Sequence, residues 1–183
     1  PYGIWYDGWK GCGSYTTSSS SYVAKTCDTT LQNGDVWFWN NDDPSDIRTL
    51  DEMIDVYHDT VGTGCTMELD FAIDRDGLVN KVHADRYRVF GDWIRSCYDS
   101  PYEATISGPV LLNGTYNYNI TFERSMTIDR ISLREDITQG QRVRSFSLLS
   151  GSTGLEITNG TSIGNRRIKL FEATQAQDLK LSV

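Results

Sequence analysis

Val61-Gly-Thr-Gly-Cys65-Thr-Met-Glu-Leu-Asp70-Phe-Ala-Ile-Asp-Arg75-Asp-Gly-Leu-Val79 is the stretch on which the fold turns. Gly62 and Gly64 end a helix, Cys65 to Phe71 reads as a strand, and Asp74-Arg75-Asp76-Gly77 reads as a turn. Upstream, Ile47, Leu50, Ile54, Tyr57 and Val61 recur at spacings of three and four, and Thr49 with Glu52 has the form of a capping box. A helix is therefore predicted there. Downstream, a second helix is predicted from His83 to Cys97, with Val89, Phe90, Trp93, Ile94 and Cys97 on its buried side. Working outward, Tyr2 to Tyr6 reads as a short buried strand ending at Asp7-Gly8, and Val36-Trp37-Phe38-Trp39 as another. Alternating strands and helices are the pattern of parallel α/β structure.

At Ser100-Pro101 the pattern changes. Beyond it come short alternating runs at Tyr118–Phe122, Ile128–Leu133, Val143–Leu149, Leu155–Ile157, Ile168–Phe171 and Leu179–Val183, separated by Gly, Asn and Ser turns. That is the pattern of a β-sandwich. The predicted class is α/β followed by all-β, with domains over 1–100 and 101–183. Three strands and two helices cannot close a parallel sheet, because faces and edges stay exposed. A (β/α)₈ barrel needs about 250 residues. The front piece therefore reads as the C-terminal portion of such a barrel, with further polypeptide expected to complete it.

Seventeen Lys and Arg against 25 Asp and Glu give a net charge of −8 over 183 residues. A chain this acidic repels phosphate backbones, which argues against nucleic acid as a partner. No stretch approaches the roughly 18 apolar residues of a membrane span. Acidity with five Trp and ten Tyr suits a neutral, hydroxyl-rich substrate such as a sugar. The four cysteines and two histidines show no zinc-ligand spacing, and no metal site is predicted. His58 reads as part of a solvated face and His83 as a helix cap. Cys12 and Cys27 bracket the Ser/Thr-rich run from Ser14 to Ser21 and are expected to pair. Sequons at Asn113, Asn119 and Asn159, taken with the cysteines, predict a secreted glycoprotein. Pro1 is not an initiator Met and no signal peptide precedes it, so a processed or partial product is expected.

The run from Val61 to Val79, followed by Phe90-Gly-Asp-Trp-Ile-Arg95, resembles the end of the catalytic barrel in α-L-fucosidases of glycoside hydrolase family 29. Ile128-Asp-Arg-Ile-Ser-Leu-Arg-Glu-Asp-Ile137, Gly140-Gln-Arg-Val-Arg-Ser-Phe146 and Gly160-Thr-Ser-Ile-Gly-Asn-Arg-Arg-Ile168 resemble the C-terminal sandwich of those enzymes, galactose-binding or jelly-roll-like. The resemblance spans residues 35–183 and points to a fungal or bacterial type.

Trp5-Tyr6-Asp7-Gly8 resembles the family's Trp-x-Asp-Gly, whose Asp is the nucleophile; the competing reading makes Asp7 a turn cap. The resemblance implies a retaining exo-glycosidase that removes terminal α-L-fucose from oligosaccharides or glycoprotein glycans, without cofactor. Such chemistry needs a nucleophilic carboxylate and a second carboxyl about 5–5.5 Å away. The family's second carboxyl would fall near residues 24–28, where Lys25 and Thr26 stand. Glu68 on the predicted last strand is the fallback acid/base, and Trp5, Trp37 and Trp39 are candidates to stack on the sugar. The rival class is a non-catalytic, lectin-like carbohydrate-binding module.

Overall fold

The computed structural model describes residues 3–5, 25–34, 36–40 and 42–183. It divides into two compact units that meet in sequence between Pro101 and Tyr102.

The first unit is a parallel sheet of β1 (Gly3–Trp5), β2 (Lys25–Thr30) and β3 (Cys65–Asp70), in that order, with helices α1 (Leu50–Thr60) and α2 (Lys81–Tyr98). α1 begins where its capping box lies. The Thr49 hydroxyl accepts from the Glu52 amide at 3.2 Å, and the Glu52 carboxylate accepts from the Thr49 amide at 2.7 Å. Its buried stripe is Met53, Val56, Tyr57 and Thr60. A single helical turn and Gly64, at φ 87°, then reverse the chain into β3. α2 is capped by Asn80, whose side chain accepts from the Val82 amide at 2.7 Å. Tyr57 and His58 of α1 form an aromatic cluster with Trp93 and Tyr98 of α2.

Four expectations are corrected here. Val36–Trp39 is not a strand; the strand is Lys25–Thr30, whose mostly polar composition hid it. The partner of Cys27 is Cys65, not Cys12, which lies outside the described residues. β2 and β3 are parallel neighbours with Lys25 opposite Cys65, so Cys27 sits one diagonal step away on the same face. Both sulfurs are buried there. His58 belongs to the α1–α2 interface, with Nε2 2.6 Å from the Tyr98 hydroxyl. His83 caps nothing; it is 1% exposed in the first turn of α2, and burial holds its imidazole below the usual histidine range against the opposing pull of Asp42.

The second unit is a five-stranded antiparallel sheet in the order β4 (Thr105–Leu112), β5 (Thr115–Leu133), β8 (Arg167–Ser182), β6 (Phe146–Ser150), β7 (Glu156–Gly160). Runs that read as four separate strands are the two ends of β5 and of β8. Register shifts between Thr121 and Met126 break the ladder of these long strands. Both ends feed one core, in which Phe122, Ile128, Ala176 and Leu179 join Phe146 and Leu148. The exposed strand β4 left no alternating signal and was not anticipated. Among the arginines, Arg130 pairs with Asp129, and Arg167 donates to the Ser162 carbonyl and hydroxyl.

Candidate active site at the strand ends of the parallel sheet

Side chains alternate across β2 and β3, and parallel pairing puts Thr26 beside Thr66, Asp28 beside Glu68, and Thr30 beside Asp70. One face of the sheet thus carries three carboxylates. The other carries Cys27, Thr29 and Cys65, all buried. Oδ1 of Asp28 is buried with no hydrogen-bond partner among the described residues. Burial, with the charge of Asp28 added, raises the Asp70 carboxyl above its ordinary range.

The loops that leave the C-terminal ends of these two strands converge. Trp37, Phe38 and Trp39 follow β2, and Phe71, Ala72 and Ile73 follow β3. With Asp70 they line a groove of about 560 Å³. Open α/β sheets and barrels place their ligands at this end of their strands, because the loops there can vary while the strands hold them. The walls are braced from outside. Phe71 stacks on Tyr87 of α2 at 3.8 Å, and the Tyr87 hydroxyl donates to the Asp70 carbonyl. Burial, then the nearby Asp70 carboxylate, raises the Tyr87 phenol well above its ordinary range, so it stays a donor. The Trp39 indole donates to Asp42 at 3.1 Å.

The arrangement can hold a neutral ring with an apolar face. Aromatic rings offer stacking area, Phe38 is 87% exposed, and a carboxyl can exchange hydrogen bonds with hydroxyls. Of the expected site residues, the structure brings Trp37 and Trp39 together in this groove. Both contribute to its lining, with Phe38 between them. Glu68 lies on the carboxylate face but not in the groove lining; its neighbour Asp70 does line it. Trp5 ends β1 with its backbone opposite Asp28, and Asp7 lies outside the described residues. Phe71 and Ile73 were not anticipated. Their signal was present in sequence as apolar residues just past the end of a strand, left large and exposed.

The three sequon asparagines belong to the second unit. Asn113 occupies the β4–β5 turn in a left-handed conformation at φ 50°. Asn119 is exposed within β5, and Asn159 is exposed in β7, donating to Glu156 at 2.6 Å.

No protein-family model matches the chain. Among curated proteins it is 26% identical to a protein provisionally named α-L-fucosidase 1 of Oryza sativa subsp. japonica, over 88% of this chain and 37% of that protein. It is 23% identical to α-L-fucosidase 1 of Arabidopsis thaliana, over 93% and 40%. The chain thus spans about two fifths of the length of these relatives. A glycoside hydrolase 29 family member from an unknown rumen bacterium superposes with a TM-score of 0.75 at 25% identity, covering 91% of this chain and 31% of that one. A Bacteroides thetaiotaomicron structure, provisionally named an α-L-fucosidase, gives 0.78 at 27%, covering 88% and 37%. Sequence and fold together relate the chain to the C-terminal part of an α-L-fucosidase of glycoside hydrolase family 29.

Proposed function

We propose that this chain is part of a secreted, retaining α-L-fucosidase, and that the groove at the ends of β2 and β3 receives the terminal fucose of a glycan. The observation that carries the reading is the groove itself: three aromatic side chains from one strand-end loop facing Asp70, Phe71 and Ile73 from the next. The sugar identity comes from the names of the curated relatives. The three-stranded parallel sheet is then the closing portion of a (β/α)₈ barrel, which further polypeptide of the same enzyme completes. The second unit is its C-terminal sandwich.

In this reading Asp7, just past β1, attacks the anomeric carbon and forms a covalent glycosyl-enzyme, while a second carboxyl protonates the leaving oxygen. Asp70 suits that second role better than Glu68, since it lines the groove and burial raises its carboxyl above the ordinary range. Trp5, Trp37 and Trp39 stack on the ring. The disulfide and the exposed Asn113 in its turn support export and glycosylation.

The test is Asp7→Ala in the complete enzyme. Turnover of an aryl α-L-fucoside falls by several orders of magnitude with the circular dichroism spectrum unchanged, and azide restores part of the rate. A variant that keeps more than a tenth of kcat has lost less than about 1.4 kcal/mol of transition-state stabilisation, far too little for a covalent nucleophile. That result would return Asp7 to a turn cap. The non-catalytic reading is favoured by one feature, Lys25 and Thr26 standing where the resemblance places a Glu. It predicts that the complete protein binds fucose by calorimetry and turns over no fucoside.

A further inference from the structure

Gln32 follows β2 by two residues, and its side chain is buried, with 4% of the residue exposed. A buried primary amide must place two donors and an acceptor or lose the hydrogen bonds it had in water. Gln32 places all three on one loop. Its Nε2 donates to the carbonyls of Val36 and Phe38, each at 2.8 Å, and its Oε1 accepts from the Asn40 amide at 3.2 Å. Alternate backbone groups of residues 36–40 are thereby bonded to a side chain, in the way a neighbouring strand would bond them. The base of the excursion is closed separately. Gln32 bridges Ile47, the Asn33 amide donates to the Asp46 carbonyl at 2.8 Å, and the Arg48 side chain donates to the Thr30 carbonyl at 3.0 Å. The mouth of the loop is held by backbone bonds and the Arg48 side chain, and its interior by one amide. Between the three anchored residues stand Trp37 and Trp39, with Phe38 itself bonded through its carbonyl.

We propose that Gln32 is a positioning residue that fixes the aromatic wall of the groove and so sets affinity for the sugar rather than the rate of bond cleavage. The proposal rests on the groove being the sugar site. Gln32 lines no part of the groove, so it acts only through the loop. Gln32→Glu keeps the volume but turns both donors into acceptors facing the Val36 and Phe38 carbonyls. Gln32→Leu removes all three bonds at similar size and without a charge.

The experiment uses the complete enzyme, an aryl α-L-fucoside and backbone hydrogen exchange. In both variants KM rises by about tenfold or more while kcat stays within about twofold, the signature of lost binding common to ground and transition states. The Asn40 amide exchanges at least about tenfold faster. Asn33→Ala, which removes only the exposed bond from Asn33 Nδ2 to the Ser45 carbonyl at 3.3 Å, leaves KM unchanged. Unaltered Asn40 exchange, or faster exchange with KM unmoved, overturns the proposal while the wild-type activity keeps the fucosidase reading standing. A fall in kcat matching that in kcat/KM also overturns it. A wild-type enzyme that neither binds nor cleaves fucosides overturns the fucosidase reading first, and this proposal with it.

Discussion

Cys27 and Cys65 are 38 residues apart in sequence and 5.8 Å apart between Cα atoms, both buried in the first unit. The pairing is a consequence of register. Once β2 and β3 run parallel with Lys25 opposite Cys65, two small apolar side chains on one face meet without backbone distortion. Cross-linking two strands separated by a 38-residue excursion removes loop-closure entropy from the unfolded chain, about 4 kcal/mol in the chain-entropy model. Cys65→Ala is therefore expected to lower the unfolding free energy of the first unit by about 2–4 kcal/mol, measured by urea denaturation under oxidising conditions. A loss under about 0.5 kcal/mol would mean that the bridge restrains little of the unfolded chain. Cys97, half-buried on α2, is unpaired, so the variant leaves two free thiols among the described residues.

Among the elements, α1 carries the most complete local instructions. Thr49 and Glu52 satisfy each other's backbone amides, and Asp51 with Glu52 places negative charge at the positive end of the helix. Thr49→Ala is expected to cost about 1 kcal/mol, read as a lower denaturation midpoint with an unchanged slope. The cap also titrates. The Thr49 amide, then its hydroxyl, hold the Glu52 carboxyl below its usual range. A depressed folded-state pKa adds stability that is present above the unfolded carboxyl value, about 4.3, and is lost as pH falls through the lower folded value. In Thr49→Ala that part of the acid dependence shrinks, so the midpoints of variant and wild type draw together below pH about 4. Equal separation at pH 7 and pH 3 would refute the role assigned to Glu52.

At the scale of the whole molecule, each unit has its own interior. The second buries Leu148, Phe146 and Leu179, which are 0%, 2% and 3% exposed, on a sheet in which every strand is hydrogen-bonded to a neighbour. It also carries its own polar ties. Glu135 accepts from the Val143 amide at 2.9 Å and from the Gly164 amide at 3.1 Å, pinning two loops to one carboxylate. Residues 102–183, expressed alone, are therefore expected to unfold cooperatively in urea, with β-type circular dichroism and little binding of a hydrophobic dye. A gradual transition with strong dye binding would show that this core needs the rest of the enzyme.

The α1–β3–turn–α2 succession was legible in sequence because each signal is local. A capping box, a Gly at positive φ, the Asp74 carboxylate accepting from Asp76 and Leu78, and an apolar stripe act within a few residues of one another. The change of architecture after Pro101 was legible for the same reason, since alternation of period two is written residue by residue. The tertiary structure decided what depends on neighbours far along the chain. Lys25–Thr30 is a strand because β3 pairs with it, although its own composition is too polar to announce one. Val36–Trp39, apolar enough for a strand, has its backbone groups taken by the Gln32 amide and becomes the wall of a groove instead. The choice of Cys65 over Cys12 follows from the parallel register of β2 and β3, and Asp70 rather than Glu68 lines the groove because it ends β3, beside the loop that forms the wall. A register is a relation between two segments, and neither segment's sequence contains it.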